Sequence, residues 1–405
     1  MSAHTTSSRG NSWALFALAV TSFGIGITEF ISVGILPAVA KDFEISVTMA
    51  GLMVSLYALG VAVGAPILTS FTSKIPRKTL LLSVIILFTI GHGIIAFSPT
   101  FSVLIAGRIL SAFAHGVFMA IATTIAASLV PENRRASAIS IVFAGFTVAT
   151  ATGVPLGTFI GDHFGWRYPF MGIALIGVIA LIANSILIPS GMRQSASASV
   201  KDQLKLVTHG RLLLIFLITI LGYGGTFAAF TYLSPLLQEV TGFKPDTVSI
   251  ILFVYGIAIA IGNTVGGKVS NHNPIRALFY MFIVLAVILT VLTFTAPFKM
   301  LALITVIFMG LAAFMSVPAL QVYVVILAER YVPNAVDVAS ALNIAAFNIG
   351  IASGAALGGL VTDSLGLIHT GWVGALMVAA AIVLTGWNIV LEKKEKQKDK
   401  KRLAA

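Results

Sequence analysis

The chain has 405 residues, 58% of them hydrophobic and only 10% charged, with a formal net charge of +11. A soluble domain carries about 25% charged residues, so this composition excludes a water-soluble globule and fits an all-α polytopic membrane protein. Cysteine is absent, which removes disulfides, thiolate nucleophiles and iron–sulfur clusters from consideration.

Residues 1–12 are polar, and the apolar run that follows is too long for a signal-peptide core; it is read as a first membrane span. Further apolar runs predict twelve spans, at 13–37, 47–71, 79–98, 101–129, 137–161, 168–188, 211–236, 247–268, 274–296, 300–325, 338–362 and 370–390. With the amino end inside, inner segments hold 20 basic residues, outer loops hold four (Lys41, Arg167, Lys244, Lys299), and Arg108 lies within a span. That bias places both termini in the cytoplasm and accounts for the net charge without nucleic acid. The domains expected are a cytoplasmic amino terminus at 1–12, a six-helix bundle at 13–188, a cytoplasmic loop at 189–210, a second six-helix bundle at 211–390 and a basic tail at 391–405. The tail is read as a solvated or lipid-facing charge run that anionic headgroups can anchor.

The halves echo each other. Pro37, Tyr57 and Gly64 recur as Pro235, Tyr255 and Gly262, an offset of 198; Gly153, Gly157, Asp162 and Gly165 recur as Gly354, Gly358, Asp363 and Gly366, an offset of 201. Internal repetition over six spans is a mark of transporter bundles.

The first span carries one acid, Glu29, in G-I-T-E-F-I. A lone carboxylate in hydrocarbon is costly, and one retained there reads as functional, with a partner to be found. Arg108, the lone charge of the fourth span, is the partner expected. Helix arithmetic puts Glu29 about 12 Å and Arg108 about 13 Å below the same surface, as a direct pair or a water-linked one. An arginine nearby favours the carboxylate, an apolar surround the protonated acid, and a group between these influences can exchange a proton. A purely structural ion pair is the alternative. His115, two turns beyond Arg108 on nearly the same face, fits a polar cavity or ordinary packing. No His/Asp/Glu/Cys cluster accompanies it, so no metal is expected.

In the fifth span Gly145, Gly153, Gly157 and Gly161 supply a smooth face for close packing, and Pro155 frees a carbonyl and bends the helix. This is no nucleotide loop, since no G-K-[ST] follows. The second half has no deep charge. Its polar and aromatic candidates for a solute cavity are Tyr223, Phe227, Tyr232, Asn263, Gln321, Asn343 and Asn348, with Tyr57 from the first half, a lining suited to a neutral organic solute. No nucleophile–base set or ATP-binding motif is present, so neither catalysis nor a cofactor is expected.

These residues resemble a known family. T-E-F at 28–30, G-I-L-P at 34–37, L-x-x-x-R at 104–108 with H-G at 115–116, G-V-P-L-G at 153–157, G-W-R-Y-P-F at 165–170, F-x-Y-L-S-P at 230–235 and G-N at 262–263 are similar to the twelve-span drug:proton antiporter group of the major facilitator superfamily. The sugar-efflux (arabinose-efflux-like) and purine-efflux-like branch is the nearest in pattern. The resemblance implies two pseudo-symmetric bundles in the bacterial cytoplasmic (inner) membrane, working as a monomer among membrane lipids. It also implies exchange of protons for a small organic solute such as a sugar or hydrophobic drug. By the same resemblance Arg108 occupies the proton-transfer arginine, Glu29 the first-span acid, and Gly153, Pro155 and Gly157 the antiporter signature. The loop after the second span departs from the family pattern G-x-x-x-D-[RK]-x-G-R-[RK]. Thr69, Ser73 and Pro76 replace Gly, Asp and Gly while Lys74, Arg77 and Lys78 remain, leaving the usual charge-relay latch without its carboxylate. Facilitated uptake or uniport, and a non-transporting membrane sensor, are the rival expectations.

Overall fold

The structure, a computed structural model, describes residues 8–72, 75–131, 134–190, 200–271 and 273–404. Lys74 lies outside them. Among the described residues twelve helices are long and apolar enough to cross a membrane. They are α1 (Asn11–Asp42), α2 (Val47–Gly64), α3 (Arg77–Ala96), α4 (Phe101–Ser128), α5 (Ala138–Phe164), α6 (Arg167–Leu187), α7 (Gly210–Val240), α8 (Pro245–Ser270), α9 (Pro274–Thr295), α10 (Lys299–Tyr331), α11 (Val338–Ser364) and α12 (Leu367–Glu395). The chain is an all-α polytopic membrane protein, as its composition requires.

Helix ends and breaks follow local chemistry. α1 does not stop at Pro37; the proline sits inside the helix, which runs to Asp42. There the Asp42 carboxylate accepts from Trp166 Nε1 at 3.1 Å and pairs with Arg167 at 2.7 Å, tying α1 to the start of α6. Three other prolines, Pro155, Pro235 and Pro318, coincide with distortions, because each lacks the N–H that the carbonyl four residues earlier would accept. Ahead of Pro155, residues Ala149–Gly153 widen into a π turn. α7 breaks after Phe230 and passes through Pro235 into a second π turn, Leu236–Val240. α10 breaks between Ala313 and Ser316, just ahead of Pro318.

Contacts divide the chain into two compact units, Met1–Ser197 with Lys244–Phe253, and Ala198–Phe243 with Val254–Ala405. Within the first unit α1 packs on α5 and α6, and α3 on α4 and α6; within the second α7 packs on α11 and α12, and α9 on α12. The glycines of α5 explain the first of these contacts. A Cβ at Gly145, Gly153, Gly157 or Gly161 would come within 3.0 Å of Ala19, Ile27, Ile31 or Ile35 on α1. These partners bracket Glu29. The second unit repeats the arrangement, with Gly354 and Gly358 of α11 against the backbone of Gly224 and Ala228 on α7. The first unit's core runs from Leu18 and Ile31 through Phe88 and Phe118 to Phe170 and Ile173.

Two features follow the span edges. A short helix, Val200–Thr208, occupies part of the expected central loop. The last helix continues without a break to Ala404, and two of its acids face protein. Glu395 accepts from Tyr331 at 2.8 Å and lies 3.5 Å from Arg330 and 3.8 Å from Arg211, while Glu392 accepts from Tyr323 at 3.5 Å. At the other polar margin, within the first unit, His163 lies 3.4 Å from Asp246 and Ser249 donates to Asp162 at 3.3 Å.

Candidate functional site

The first unit gathers its buried polar groups around Arg108. α3 and α4 approach closely, since a Cβ on Gly107 would fall 2.8 Å from the Gly91 carbonyl oxygen. The neighbouring Arg108 side chain, 0% exposed, reaches α1 and α2. Its Nη1 donates to the Thr28 carbonyl at 2.8 Å and its Nε to the Met53 carbonyl at 3.1 Å. The guanidinium carbon lies 4.0 Å from the centre of the Tyr57 ring. Nη2 is buried without a hydrogen-bond partner. A charge that cannot be hydrated is thus held by two backbone dipoles and an aromatic face, with one donor in reserve.

Glu29 is the residue after Thr28 and retains 9% exposure. Among the described residues no ion pair within 4.0 Å joins it to Arg108; the two charges act on each other across a gap. The arrangement leaves Glu29 the freer of the pair. Its carboxyl group makes no salt bridge with Arg108, whose guanidinium is bonded to backbone carbonyls of α1 and α2. His115 contacts the cluster indirectly, its Nδ1 lying 3.1 Å from the Tyr57 hydroxyl. Tyr57, expected in the solute cavity, thereby stands between His115, at its hydroxyl, and Arg108, over its ring face.

One member of this cluster, His92, has no place among the residues singled out from sequence, and Thr28 enters there only within T-E-F. His92 of α3, 0% exposed, places Nδ1 2.7 Å from the Phe88 carbonyl and Nε2 2.9 Å from the Thr28 hydroxyl. Thr28 thus meets His92 through its side chain and Arg108 through its carbonyl. The signal was available: a lone histidine in an apolar span invites the question that Glu29 raised.

Four candidates of the second unit fall into two groups. Thr219, Asn343 and Gln321 form a chain across α7, α11 and α10, with links of 2.8 and 2.9 Å, and Gln321 continues to Ser340. Tyr223 and Phe227 belong to an aromatic series: Tyr223 lies 5.1 Å from Phe227, 5.5 Å from Phe314 and 4.9 Å from Phe347, and Phe230 stacks on Tyr255 at 5.1 Å. The hydroxyl of Tyr255 and Oδ1 of Asn348 are buried without hydrogen-bond partners. Tyr232 is committed elsewhere, donating to the Ala355 carbonyl at 3.0 Å, and Asn263 is half-buried on α8. A groove of about 450 Å³ between α9 and α12 is lined by Val287, Val291, Trp372 and Leu376 and by none of these candidates. Arg77 and Lys78 open α3, behind a Pro76 that supplies no side-chain cap. Among the described residues no group of three or more His, Cys, Asp or Glu side chains could hold a metal ion.

A family model described as Major Facilitator Superfamily matches residues 18–331. The chain is 64% identical over 393 residues to the Bacillus subtilis (strain 168) protein named "Uncharacterized MFS-type transporter YtbD", covering 97% of this chain and 99% of that one. It is 36% identical to "Inner membrane transport protein YdhP" of Escherichia coli (strain K12), covering 92% and 95%. Its fold is similar to a crystal structure of a bacterial homolog to the human lysosomal transporter Spinster in an inward-facing and occupied conformation. That likeness has a TM-score of 0.77 at 16% identity, over 94% of this chain and 97% of the other.

Proposed function

The chain belongs to the Major Facilitator Superfamily, and from that premise we propose that it exports a small organic solute in exchange for protons by alternating access. Transport is what the names of its relatives state of those proteins. The observation that carries the proton-coupled reading is the Glu29–Arg108 arrangement. An acid with residual exposure stands beside a fully buried arginine whose hydrogen bonds go to backbone carbonyls rather than to that acid. Protonating Glu29 removes the negative charge nearest a fixed positive one, so the local net charge changes by one while the scaffold keeps its bonds. A membrane bundle feels such a change strongly, because water does not screen it.

In the exchange cycle Glu29 takes up a proton when the site faces outward. Release of that proton inward favours binding of the exported solute. Arg108 tunes both steps, and His115 bears on Arg108 through Tyr57. The α5 glycines let α1 and α5 shift along each other. The aromatic series and the amides Asn343, Asn348 and Gln321 suit a neutral or weakly polar solute, a sugar, nucleoside or hydrophobic drug, better than a multivalent cation.

The test is a flux panel in proteoliposomes with an imposed pH gradient, using pentoses, purine nucleosides, chloramphenicol-like drugs and cationic dyes. Gradient-driven movement of a neutral solute supports the reading. Solute flux indifferent to the gradient replaces it with uniport, and no flux for any class replaces it with a sensor role.

A further inference from the structure

Thr28 has one hydroxyl proton and two places to put it. Its Oγ1 is 2.9 Å from the Gly24 carbonyl of its own helix and 2.9 Å from His92 Nε2 on α3. The histidine's other nitrogen settles its role. Nδ1 faces the Phe88 carbonyl at 2.7 Å, and a carbonyl only accepts, so Nδ1 carries the hydrogen and the neutral ring offers Nε2 as an acceptor. Among the described residues the ring's polar partners are these two, and it is buried beside the rings of Phe88 and Phe170, with centroids 4.2 and 6.1 Å away. His92 Nε2 and the Gly24 carbonyl therefore compete, at equal distance, for the one Thr28 hydroxyl proton. The same residue's carbonyl receives Arg108 Nη1 at 2.8 Å, and the next residue is Glu29.

We infer that His92 is a positioning residue of the exchange site: by holding the Thr28 hydroxyl across from α3, it sets where α1 presents the Thr28 carbonyl to Arg108 and the carboxyl group of Glu29 beside it. The inference rests on the exchange reading above for what the site does, but the linkage itself is independent of any solute. It makes α3, otherwise a packing helix, part of the machinery. It also explains why a buried imidazole is kept in an apolar span, where an unneeded polar ring is costly.

The test is a double-mutant cycle, His92→Phe with Thr28→Val, alongside Thr28→Ser and His92→Gln, which keep the hydroxyl and an acceptor respectively. Two readouts are taken from purified full-length protein. The first is hydrogen exchange across residues 24–32, measured by mass spectrometry in detergent without solute. The second is gradient-driven efflux and counterflow in proteoliposomes, with radiolabelled arabinose, inosine and chloramphenicol as probes. Exchange should accelerate to the same extent in H92F, T28V and the double variant, and stay at the wild-type rate in T28S. The maximal gradient-driven rate should fall about three- to fifteenfold in each single variant, the range an interhelical hydrogen bond spans, with no further fall in the double. The counterflow KM should not move, and T28S and H92Q should stay near wild type. Additive effects, T28S as impaired as T28V, or unchanged exchange in both H92F and T28V would overturn the inference. Should H92F not fold, the T28V and T28S pair decides by the same exchange readout. Wild-type flux indifferent to the gradient would remove the exchange reading, and the hydrogen-exchange cycle would still judge the linkage.

Discussion

Replacing Arg108 with lysine keeps the charge and removes the fork. In the wild type two separate nitrogens reach carbonyls on two helices, Thr28 on α1 at 2.8 Å and Met53 on α2 at 3.1 Å, while the planar head rests 4.0 Å from the Tyr57 ring centre. A single ammonium on a shorter stem cannot keep all three. Hydrogen bonds to a charged donor contribute about 1.5–3 kcal/mol each, and a desolvated cation–π contact about 2 kcal/mol. Loss of one carbonyl bond and part of the stacking thus costs roughly 2–4 kcal/mol, with every 1.4 kcal/mol worth a factor of ten. If half of that falls on the transport barrier, gradient-driven flux drops by about five- to thirtyfold. The assay is the initial rate of pH-gradient-driven efflux from proteoliposomes, normalised to incorporated protein, with thermal unfolding in detergent measured in parallel. An R108K protein that keeps wild-type flux within about twofold and unfolds at the wild-type temperature would refute the fork as the element that matters, since that leaves under about 0.5 kcal/mol for it.

Two further outcomes are expected. Gly157→Val forces a branched side chain into Ile31 on α1, an overpacking cost of about 1–3 kcal/mol; flux and unfolding temperature should both fall, whereas Gly172→Ala, whose Cβ meets nothing within 4 Å, should change neither. Glu395→Gln removes the charge shared by Arg330 and Arg211 but keeps an acceptor for Tyr331. The loss should stay within about 1 kcal/mol and shrink in about 1 M salt, as thermal unfolding at two ionic strengths would show, because Glu395 and Arg330 are partly exposed and Arg211, though buried, lies 3.8 Å away.

The fold was legible because twelve apolar runs leave little else for the chain to do, and Glu29 and Arg108 were legible because a lone charge in such a run is expensive. Their bonding was not. Arg108 binds the carbonyls of Thr28 and Met53, and backbone acceptors leave no mark on a sequence, so the search for a partner could point only to the other charge. Helix arithmetic set α1 to end at Pro37, whereas a proline inside a membrane helix need not end it, and the helix reaches Asp42. Tyr57 reads from the sequence only as a cavity candidate; its place over Arg108 and against His115 depends on helix packing that the sequence does not display. His92 passed unnoticed because its partners, Thr28 and the Phe88 carbonyl, are ordinary residues for a span. The tail's charges read as solvated, yet Glu392 and Glu395 lie on the helix face that meets Tyr323 and Tyr331, a distinction that appears only once the helix is continued past the membrane.

Proton exchange at Glu29 is the centre of the proposed mechanism, and Glu29→Gln tests it most directly. Glutamine keeps the size and a hydrogen-bonding head but cannot exchange a proton near neutral pH. In proteoliposomes the variant should lose efflux driven by an imposed pH gradient while solute counterflow continues at a rate close to wild type. Persistent gradient dependence in E29Q, with counterflow intact, would contradict the assignment of proton exchange to this carboxyl group.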